Sequence, residues 1–486
     1  METLKIAYVA SEIVPFAKTG GLADVSGALG KYLARRGHDI RLFMPYYDSL
    51  NLTGNDVHPV AFIRNIPVSF NGFTLYFSAL TTTLPDSDAQ VYFIHSEGLY
   101  NRGKIYTEHP DEYLRFALLS RAALECCQRM GWGPDIVHCN DWQTGLLPVF
   151  LKTLYDWDAL FANTRTLMTI HNIGYQGVFG DEVVSTLNMD PHRAMLPHDD
   201  QQAGIVNFMK TGLIHADHIS TVSETYAREI QTAEYGAGLD GLLRHLGYKL
   251  SGILNGVDYQ EWSPEHDPFI PHAFSAADLS GKYRNRAALL ERMGLSDNPD
   301  APVFGIISRL VAQKGFDLME EMLFPFLADH DLRLVILGSG EERFTHLFMA
   351  AAEHFPEKVR FYNGYNIELS HLIEAGSDAF IMPSHYEPCG LNQIYSLRYG
   401  TVPVVRKTGG LADTVQLYDW TDQSGTGFVF EDYTAQGLRW ALDYAMSTYH
   451  HKDAWQQLMR NGMALDFSWD RQVGQYEALY ARLLGR

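Results

Sequence analysis

Lys18-Thr19-Gly20-Gly21-Leu22-Ala23-Asp24 recurs letter for letter as Lys407-Thr408-Gly409-Gly410-Leu411-Ala412-Asp413, near the opposite end of the chain. Each copy follows an apolar run typical of a strand and opens a segment typical of a helix. Paired glycines let the backbone approach a ligand closely, and the N–H groups at a helix start favour an anion. Two such units predict two similar lobes. The alternative is that the glycine pairs only let each helix pack tightly on its sheet.

The composition is that of an ordinary folded protein and argues against several classes of partner. The chain has 486 residues, 46% hydrophobic and 20% charged, which favours two or three domains. Its formal charge of −20 would repel nucleic acid and an acidic membrane surface, so neither is expected as a partner. Apolar runs fall far short of the roughly 20 residues that cross a bilayer. Four cysteines without a disulfide or metal pattern, and no visible export signal, predict a cytoplasmic protein.

Helical segments alternate with short apolar runs, which predicts doubly wound parallel sheets in both halves of the chain. The predicted strands of the first half are Ile6–Val9, Asp39–Met44, Asp135–Val137, Thr166–Ile170 and His218–Val222. Those of the second half are Val303–Ile307, Arg333–Leu337, Val359–Tyr362, Ala379–Met382 and Val402–Val405. Residues 57–95 instead predict an antiparallel insertion or sheet edge, with strands Val60–Ile66, Phe73–Ala79 and Val91–Ile94.

The predicted domain boundary lies where this rhythm lapses. We expect an N-terminal domain over residues 1–255 and a C-terminal domain over residues 256–466. The stretch from Trp262 to about Ser280, rich in Pro, His and Asp, is predicted to be the linker and entry to the second domain. Residues 467–486 are expected to contain a helix that docks back on the N-terminal domain. Its apolar face carries Val473, Tyr476, Leu479, Tyr480 and Leu483.

Two cations follow the first predicted strand of the second lobe. Ligands of open α/β sheets bind beyond the carboxyl ends of strands, so Arg309 and Lys314 are expected to share one crevice. The planar donor fork of an arginine and the compact charge of a lysine suit a diphosphate. The alternative is two solvated surface cations.

A second candidate loop follows the predicted strand Ala379–Met382. The amides of Cys389, Gly390 and Leu391 would lie at the start of the next helix, where they would bind phosphate. Glu387 beside them would accept hydrogen bonds from sugar hydroxyls or stabilise positive charge that develops on a carbon losing a phosphate. The alternative is a loop carboxylate that caps a helix or forms a salt bridge.

The first lobe offers Asp141 and His171, each directly after a predicted strand. His171 has no second histidine at helical spacing, so a cleft or core histidine is favoured over a metal ligand. Asp86-Ser87-Asp88 and Asp156-Trp157-Asp158 are similar to a metal-binding triplet, but solvated turns are the favoured interpretation. We expect no metal and no other cofactor, because Arg, Lys and helix amides can stabilise the same charges.

These motifs together resemble the glycogen (starch) synthases of the bacterial and plant type, which are retaining glycosyltransferases. The resemblance runs over essentially the whole chain. The segments that carry it are Lys18–Val25, Asn140–Trp142, His171–Gly177, Leu254–Asp258, Ser308-Arg309 with Lys314-Gly315, Glu387–Leu391, the second heptapeptide and Phe467–Trp469. It implies a GT-B fold, an α/β architecture of two facing Rossmann-like doubly wound domains with a deep interdomain cleft. Many members of the wider superfamily have a second Glu where this chain has Tyr395, a change that glycogen synthases of this type share.

The resemblance also implies an activity: transfer of glucose from ADP-glucose to the non-reducing end of an α-1,4-glucan, with retention at the anomeric carbon. The acceptor would be glycogen or a malto-oligosaccharide. Under this assignment Arg309 and Lys314 neutralise the departing diphosphate, and Glu387 holds the glucosyl hydroxyls. The other implied site residues are Lys18 and Gly21 from the opposite lobe, Asp141 and His171 at the sugar, Asn255 in support, the amides of Cys389, Gly390 and Leu391 on the diphosphate, and Tyr365 against the adenine.

Several alternatives stay open at this stage. UDP-glucose carries the same diphosphate and sugar as ADP-glucose, so only the resemblance favours ADP-glucose. A glucan-binding scaffold without activity is the non-enzyme alternative, although Lys18, Arg309, Lys314 and Glu387 are all retained. A glycoside hydrolase would need two carboxylates but no Arg/Lys pair, and a phosphorylase would usually need pyridoxal phosphate. Oligomeric state, allosteric control and acceptor length are not predictable from the sequence.

Overall fold

The computed structural model describes residues 2–486, which divide into two compact units. The first unit runs to Val222, resumes over Ala227–Gly256 and includes Trp469–Arg486. The second unit comprises Ser223–Tyr226 and Val257–Ser468. Each unit is built on a mainly parallel sheet with helices, so the predicted α/β class is confirmed. Within residues 2–486 we find no helix with the length and apolar character to span a membrane.

The elements of the chain follow in two groups. The strands up to Gly252 are β1 (Lys5–Val9), β2 (Asp39–Pro45), β3 (His58–Pro59), β4 (Ile66–Phe70), β5 (Phe73–Thr83), β6 (Gln90–His95), β7 (Ile136–Asn140), β8 (Arg165–Ile170), β9 (Val178–Gly180), β10 (Ile205–Asn207), β11 (His218–Thr221) and β12 (Leu250–Gly252). The helices between them are α1 (Gly21–Arg35), α2 (Glu112–Arg129), α3 (Leu147–Leu151), α4 (Glu182–Thr186), α5 (His198–Gln202), α6 (Phe208–His215), α7 (Glu224–Glu229) and α8 (Asp240–His245).

The strands after Gly252 are β13 (Val303–Leu310), β14 (Arg333–Gly340), β15 (Val359–Asn363), β16 (Ala379–Met382), β17 (Val402–Arg406) and β18 (Phe428–Phe430). The helices are α9 (Ser280–Met293), α10 (Phe316–Asp329), α11 (Glu342–His354), α12 (Ile367–Gly376), α13 (Asn392–Arg398), α14 (Gly409–Thr414), α15 (Ala435–Tyr449), α16 (Lys452–Met463) and α17 (Trp469–Leu483).

The sheet of the first unit has the order β12-β11-β8-β7-β1-β2-β6-β5-β3, with β4 paired to β5. Strands from β12 to β6 are parallel, and β5 pairs antiparallel with its neighbours, as the sequence predicts for this edge. The predicted strand Val60–Ile66 is wrong. This segment makes a turn whose ends bond to one residue of β5: Val60 N donates to Ala79 O, and Ala79 N donates to Ile63 O. Positive φ at Asn65 (49°) ends the turn before β4.

The sheet of the second unit is wholly parallel, with the order β15-β14-β13-β16-β17-β18. Its apolar side chains form two clusters, one containing Phe304 and Ile306 and the other containing Val303 and Val335. Side chains that alternate along β13 thus fall into different clusters, as expected for a sheet covered on both faces. The edge strand β18 is the one strand of this sheet that the sequence pattern misses.

The stretch predicted as a linker is a packed part of the second unit. Ile270 and Phe274 lie in its apolar core, and the Trp262 ring stacks between His371 and Tyr395, at centroid distances of 3.8 and 3.9 Å. The linker prediction is therefore wrong. The stretch is rich in Pro, His and Asp, but a few apolar and aromatic side chains pack it into the second unit. Tyr395 thus serves here in an aromatic stack.

Helix α17 completes the first unit. Val473, Tyr476, Leu479 and Tyr480 are buried, and Leu483 is half-buried. Two side-chain contacts fix the helix from strands and loops far back in the chain: Glu477 Oε1 lies 3.1 Å from His38 Nε2, and Tyr480 OH lies 2.8 Å from His138 Nδ1.

The two identical heptapeptides begin α1 and α14 but stand in different surroundings. A Cβ added at Gly20 or Gly21 would meet no atom within 4 Å. A Cβ at Gly409 or Gly410 would instead overlap the backbone carbonyls of Glu387 and Cys389, and Gly409 also has a positive φ of 43°. Gly410 N donates to the carbonyls of Glu387 (3.1 Å) and Pro388 (3.2 Å). The glycines of the second copy thus pack against the loop that contains Glu387 and Cys389, while the first copy leaves its glycines open.

This difference predicts that a Gly→Ala substitution affects stability differently in the two heptapeptides. We expect Gly410→Ala to lower the free energy of unfolding by about 1–3 kcal/mol, because the methyl group overlaps backbone that cannot rotate away. The matched variant Gly21→Ala should leave stability unchanged or slightly higher, because alanine favours helix. Thermal and denaturant unfolding of both variants checks this, and equal destabilisation would contradict the contrast.

Candidate active site

In each unit predicted site residues lie at the carboxyl ends of strands, and some of them lie beside the point where the strand order reverses. In the first sheet β1 lies between β7 and β2, and the loops after β1 and β7 carry Lys18 and Asp141. In the second sheet β13 lies between β14 and β16, and Arg309 and Glu387 lie at and beyond their ends. Such reversal points form the usual ligand crevice of open α/β sheets.

An ion pair occupies this point in the second unit. Lys314 Nζ lies 2.6 Å from Glu387 Oε2, with side chains 20% and 7% exposed, and Ser384 Oγ donates to the same oxygen at 3.1 Å. Gly315 makes the approach possible: its φ is +76°, and a side chain there would overlap the carbonyl of Pro383. The geometry thus holds a cation and a carboxylate together at low exposure.

Arg309 and Tyr365 present exposed side chains from the same sheet. The sequence places Arg309 just past its strand, but β13 continues to Leu310 because Arg309 pairs with Ser339 of β14. Its side chain is exposed, and its guanidinium bonds to no residue that the structure describes. Tyr365 follows β15 and is 73% exposed. Both groups are available to a ligand at this edge.

The loop before α13 presents backbone donors. Gly390, with φ +71°, and Leu391 have amides that donate to no residue within 2–486. The Cys389 thiol is buried and forms no disulfide, and the carbonyl of this residue accepts from Gln393 Nε2 at 3.0 Å. A Cβ at Gly390 would crowd Gln393 Oε1 at 2.5 Å, so the loop conformation favours glycine there.

In the first unit, the loop before α1 is held by a carboxylate that sequence reasoning missed. Glu12 is 2% exposed; its Oε1 accepts from Thr19 Oγ1 at 2.7 Å, and its Oε2 accepts from Thr19 N. Lys18 Nζ lies 2.7 Å from Asp24 Oδ1 at the surface, and Gly21 begins the helix. An acidic residue inside the apolar stretch after β1 was the available signal for Glu12.

Asp141 and His171 form a second cluster in this unit. The backbone of Asp141 has φ +54°, a strained value for a residue other than glycine, and its Oδ1 accepts from His171 N at 2.7 Å. Burial raises the pKa of the Asp141 carboxyl to about 7, although backbone amides partly oppose the shift. Burial lowers the pKa of the His171 imidazole to about 3, so this side chain is neutral at pH 7.

Two asparagines are further candidates in this unit, and one of them contacts His171. Asn140 Oδ1 lies 2.9 Å from His171 Nε2, a contact that the sequence does not indicate. Asn255, which follows β12, is 4% exposed, and its Oδ1 has no hydrogen-bond partner among residues 2–486. A buried acceptor without a donor is costly, so Asn255 is suited to receive a hydrogen bond from a ligand.

The acidic triplets serve local structure. Ser87 Oγ accepts from Ala89 N within the turn at Asp86–Asp88, and Asp158 Oδ1 accepts from Leu160 N. The part of the chain that the structure describes contains no group of three or more His, Cys, Asp or Glu side chains placed to hold a metal ion. That a bound cofactor is not needed stays a prediction.

Comparison with known families shows what the chain is similar to. The family described as "Starch synthase catalytic domain" matches residues 5–245, and "Glycosyl transferases group 1" matches residues 291–461. Glycogen synthase 1 of Geobacter metallireducens is 44% identical over 491 residues, covering 100% of this chain and 97% of that protein. Glycogen synthase of Thermotoga maritima is 41% identical, covering 99% of each.

Solved structures agree with these matches. The catalytic domain of starch synthase IV from Arabidopsis thaliana, bound to ADP and acarbose, matches with a TM-score of 0.92 at 36% identity over 100% of both chains. Sucrose-phosphate synthase from Thermosynechococcus elongatus shares the fold, with a TM-score of 0.61 at 17% identity over 99% of both chains. The predicted GT-B class is confirmed, and the chain belongs to the glycogen and starch synthase family of glycosyltransferases.

Proposed function

We propose that this protein is an ADP-glucose-dependent glycogen synthase that extends the non-reducing end of an α-1,4-glucan with retention. Family membership implies a nucleotide-sugar donor and a glucan acceptor. The observation that carries the proposal is the Lys314–Glu387 ion pair at the reversal point of the second sheet. ADP in the starch synthase IV structure supports an adenine nucleotide as the donor carrier.

The diphosphate of the donor would take its contacts from the second unit. Arg309 offers an exposed guanidinium, and the amides of Gly390 and Leu391 have no acceptor within the described chain. Lys314 would turn from Glu387 toward the diphosphate, since two negative charges on one ligand attract the ammonium more strongly than one carboxylate. This turn frees Glu387 for the glucosyl hydroxyls, the role we propose for it.

The sugar would contact side chains that carry no positive charge. We assign Asp141, neutral His171 and Asn255 to the sugar, with Lys18 and Gly21 contributing to the donor and Tyr365 to the adenine. In the reaction the bond from glucosyl C1 to the diphosphate breaks and a bond from C1 to the acceptor oxygen forms. A phosphate oxygen would accept the acceptor proton on the same face, which gives retention. The carboxylate of Glu387 would stabilise the positive charge that develops at C1.

Cofactor and compartment follow as expectations of this proposal. Arg309, Lys314 and the loop amides supply the charge stabilisation that a metal would otherwise supply, so we propose that no metal is required. All four cysteines are buried and form no disulfide, which accords with the cytoplasmic location that we propose.

The donor is tested by one assay. Purified protein with glycogen should incorporate label from ADP-glucose and far less from UDP-glucose, because the proposed adenine contact distinguishes the bases. Incorporation from UDP-glucose alone would overturn the donor assignment, and none from either nucleotide would favour the inactive scaffold.

Glu387 is tested by a substitution that removes its charge and keeps its shape. Glu387→Gln should lower kcat by roughly 100-fold or more, as removal of one group that stabilises a developing charge typically does. ADP should bind equally well or more tightly, because Lys314 loses its competing partner. Glu431→Gln is the matched control, since Glu431 pairs with Lys407 at 2.6 Å on the surface. Steady-state kinetics and ADP titration check both; unchanged kcat in Glu387→Gln would contradict the role.

We predict that Asp141 lowers the stability of the folded protein at high pH but is needed for full activity. Its pKa is raised in the folded state, so stability is fully present below the ordinary Asp pKa and is lost as pH rises through about 7. Asp141→Asn imitates the protonated form at every pH. We therefore expect the variant to unfold at higher temperature than the wild type at pH 8, with the difference vanishing toward pH 4, and to have lower kcat/KM. Thermal scans across pH check the sign.

A further inference from the structure

The amide of Asn140 can adopt only one orientation in its surroundings. Its Nδ2 donates to the carbonyls of Val9 at 3.0 Å and His138 at 3.4 Å. Its Oδ1 accepts from Tyr8 OH at 3.1 Å and lies 2.9 Å from His171 Nε2. A flipped amide would place its oxygen against two carbonyl oxygens and lose these bonds, so the network assigns the atoms.

This orientation decides which nitrogen of His171 carries the proton. An amide oxygen only accepts, so His171 Nε2 must be the protonated nitrogen of the neutral ring. Nδ1 is then an unprotonated acceptor, and no residue within 2–486 bonds to it. Since burial lowers the pKa of the ring to about 3, this tautomer persists at neutral pH.

We propose that Asn140 is a positioning residue that holds His171 in the neutral Nε2–H tautomer, so that the sugar meets a lone pair and no positive charge. The proposal rests on the proposed function, which assigns His171 to the sugar. A neutral ring matters because positive charge develops on the glucosyl carbon as the diphosphate leaves, and an imidazolium beside it would oppose that charge. Nδ1 would accept a hydrogen bond from a sugar hydroxyl.

Other titratable groups surround His171 and define what the test must separate. Asp141, directly after β7, accepts from His171 N and titrates near neutral pH, and buried Glu12 raises its pKa further. His138 of β7 is buried, and its pKa is lowered to about 3, mainly by burial. Tyr8 of β1 reaches Asn140 from the opposite side, and burial raises its pKa well above neutrality. Activity alone would mix the titrations of Asp141 and His171, so protonation must be observed on the ring.

The test uses Asn140→Asp, which keeps shape and replaces the amide with a carboxylate. A carboxylate at His171 Nε2 favours the charged ring, so its pKa should rise into the range of about 5–8. We expect kcat at pH 6 to fall at least tenfold relative to wild type, with recovery at higher pH. NMR of ¹⁵N-histidine-labelled protein, with His171 assigned from a His171→Gln sample, follows each ring nitrogen.

Tyr480→Phe is the control for disturbance of the buried network. It removes the hydrogen bond to His138 Nδ1 but no contact of Asn140. It should leave the His171 signals and the pH profile as in wild type.

The wild-type spectrum in the free protein decides the tautomer even if Asn140→Asp fails to fold. A proton on Nδ1, or a charged ring at pH 7, overturns the proposal. So does an Asn140→Asp ring that does not titrate near neutrality, or one that titrates while activity keeps the wild-type profile. If wild-type protein forms no glucan, the proposed function fails, whereas the spectra still decide whether Asn140 sets the tautomer.

Discussion

Parallel strands point the same way, so the loops that follow them share one edge of the sheet. This constraint brings Lys314, after β13, and Glu387, after β16, to 2.6 Å although 73 positions separate them in the sequence. Glycine makes the approach close: Gly315 and Gly410 place two flanking loops directly against the backbone around Glu387. The chemistry of the second unit depends on this packing of loops, because the carboxylate has no helix or strand of its own to fix it.

The two units use electrostatics differently. In the second unit, Lys314 and Glu387 form an ion pair at 2.6 Å. In the first unit, burial raises the pKa of Asp141 to about 7 and lowers that of His171 to about 3, which favours the neutral form of each group. Desolvation dominates both shifts and opposes the charged form of either group.

Much of the fold was predictable because local patterns carry it. Alternation of apolar runs and helices fixes the parallel strands, and β16 matches its prediction at both ends. The failures are places where distant residues decide. Polar composition around Trp262 predicts a linker, yet stacking on His371 and Tyr395 makes it core. The two identical heptapeptides differ in packing, because only the glycines of the second copy contact the backbone of another loop. The local sequence does not indicate that this loop lies beside them.

The candidate site shows the same division. Residue type and position after a strand were enough to select Arg309, Lys314, Glu387, Asp141 and His171 as candidates, but that assignment stays a prediction. The hydrogen bonds around these candidates could not be predicted. Glu12 contacts Thr19 through a turn, and Asn140, at the end of β7, contacts His171, which follows the neighbouring strand β8. Hydrogen-bond partners depend on orientation in three dimensions, which neither periodicity nor composition contains.

Helix α17 determines which of the two units completes its fold first while the chain is synthesised on the ribosome. The second unit is nearly continuous in sequence, so it can close as soon as residue 468 has emerged. The first unit begins earlier yet lacks the Tyr480 contact to His138 and the Glu477 contact to His38 until residues 477 and 480 are made. The half that is synthesised first is therefore the half that finishes folding last.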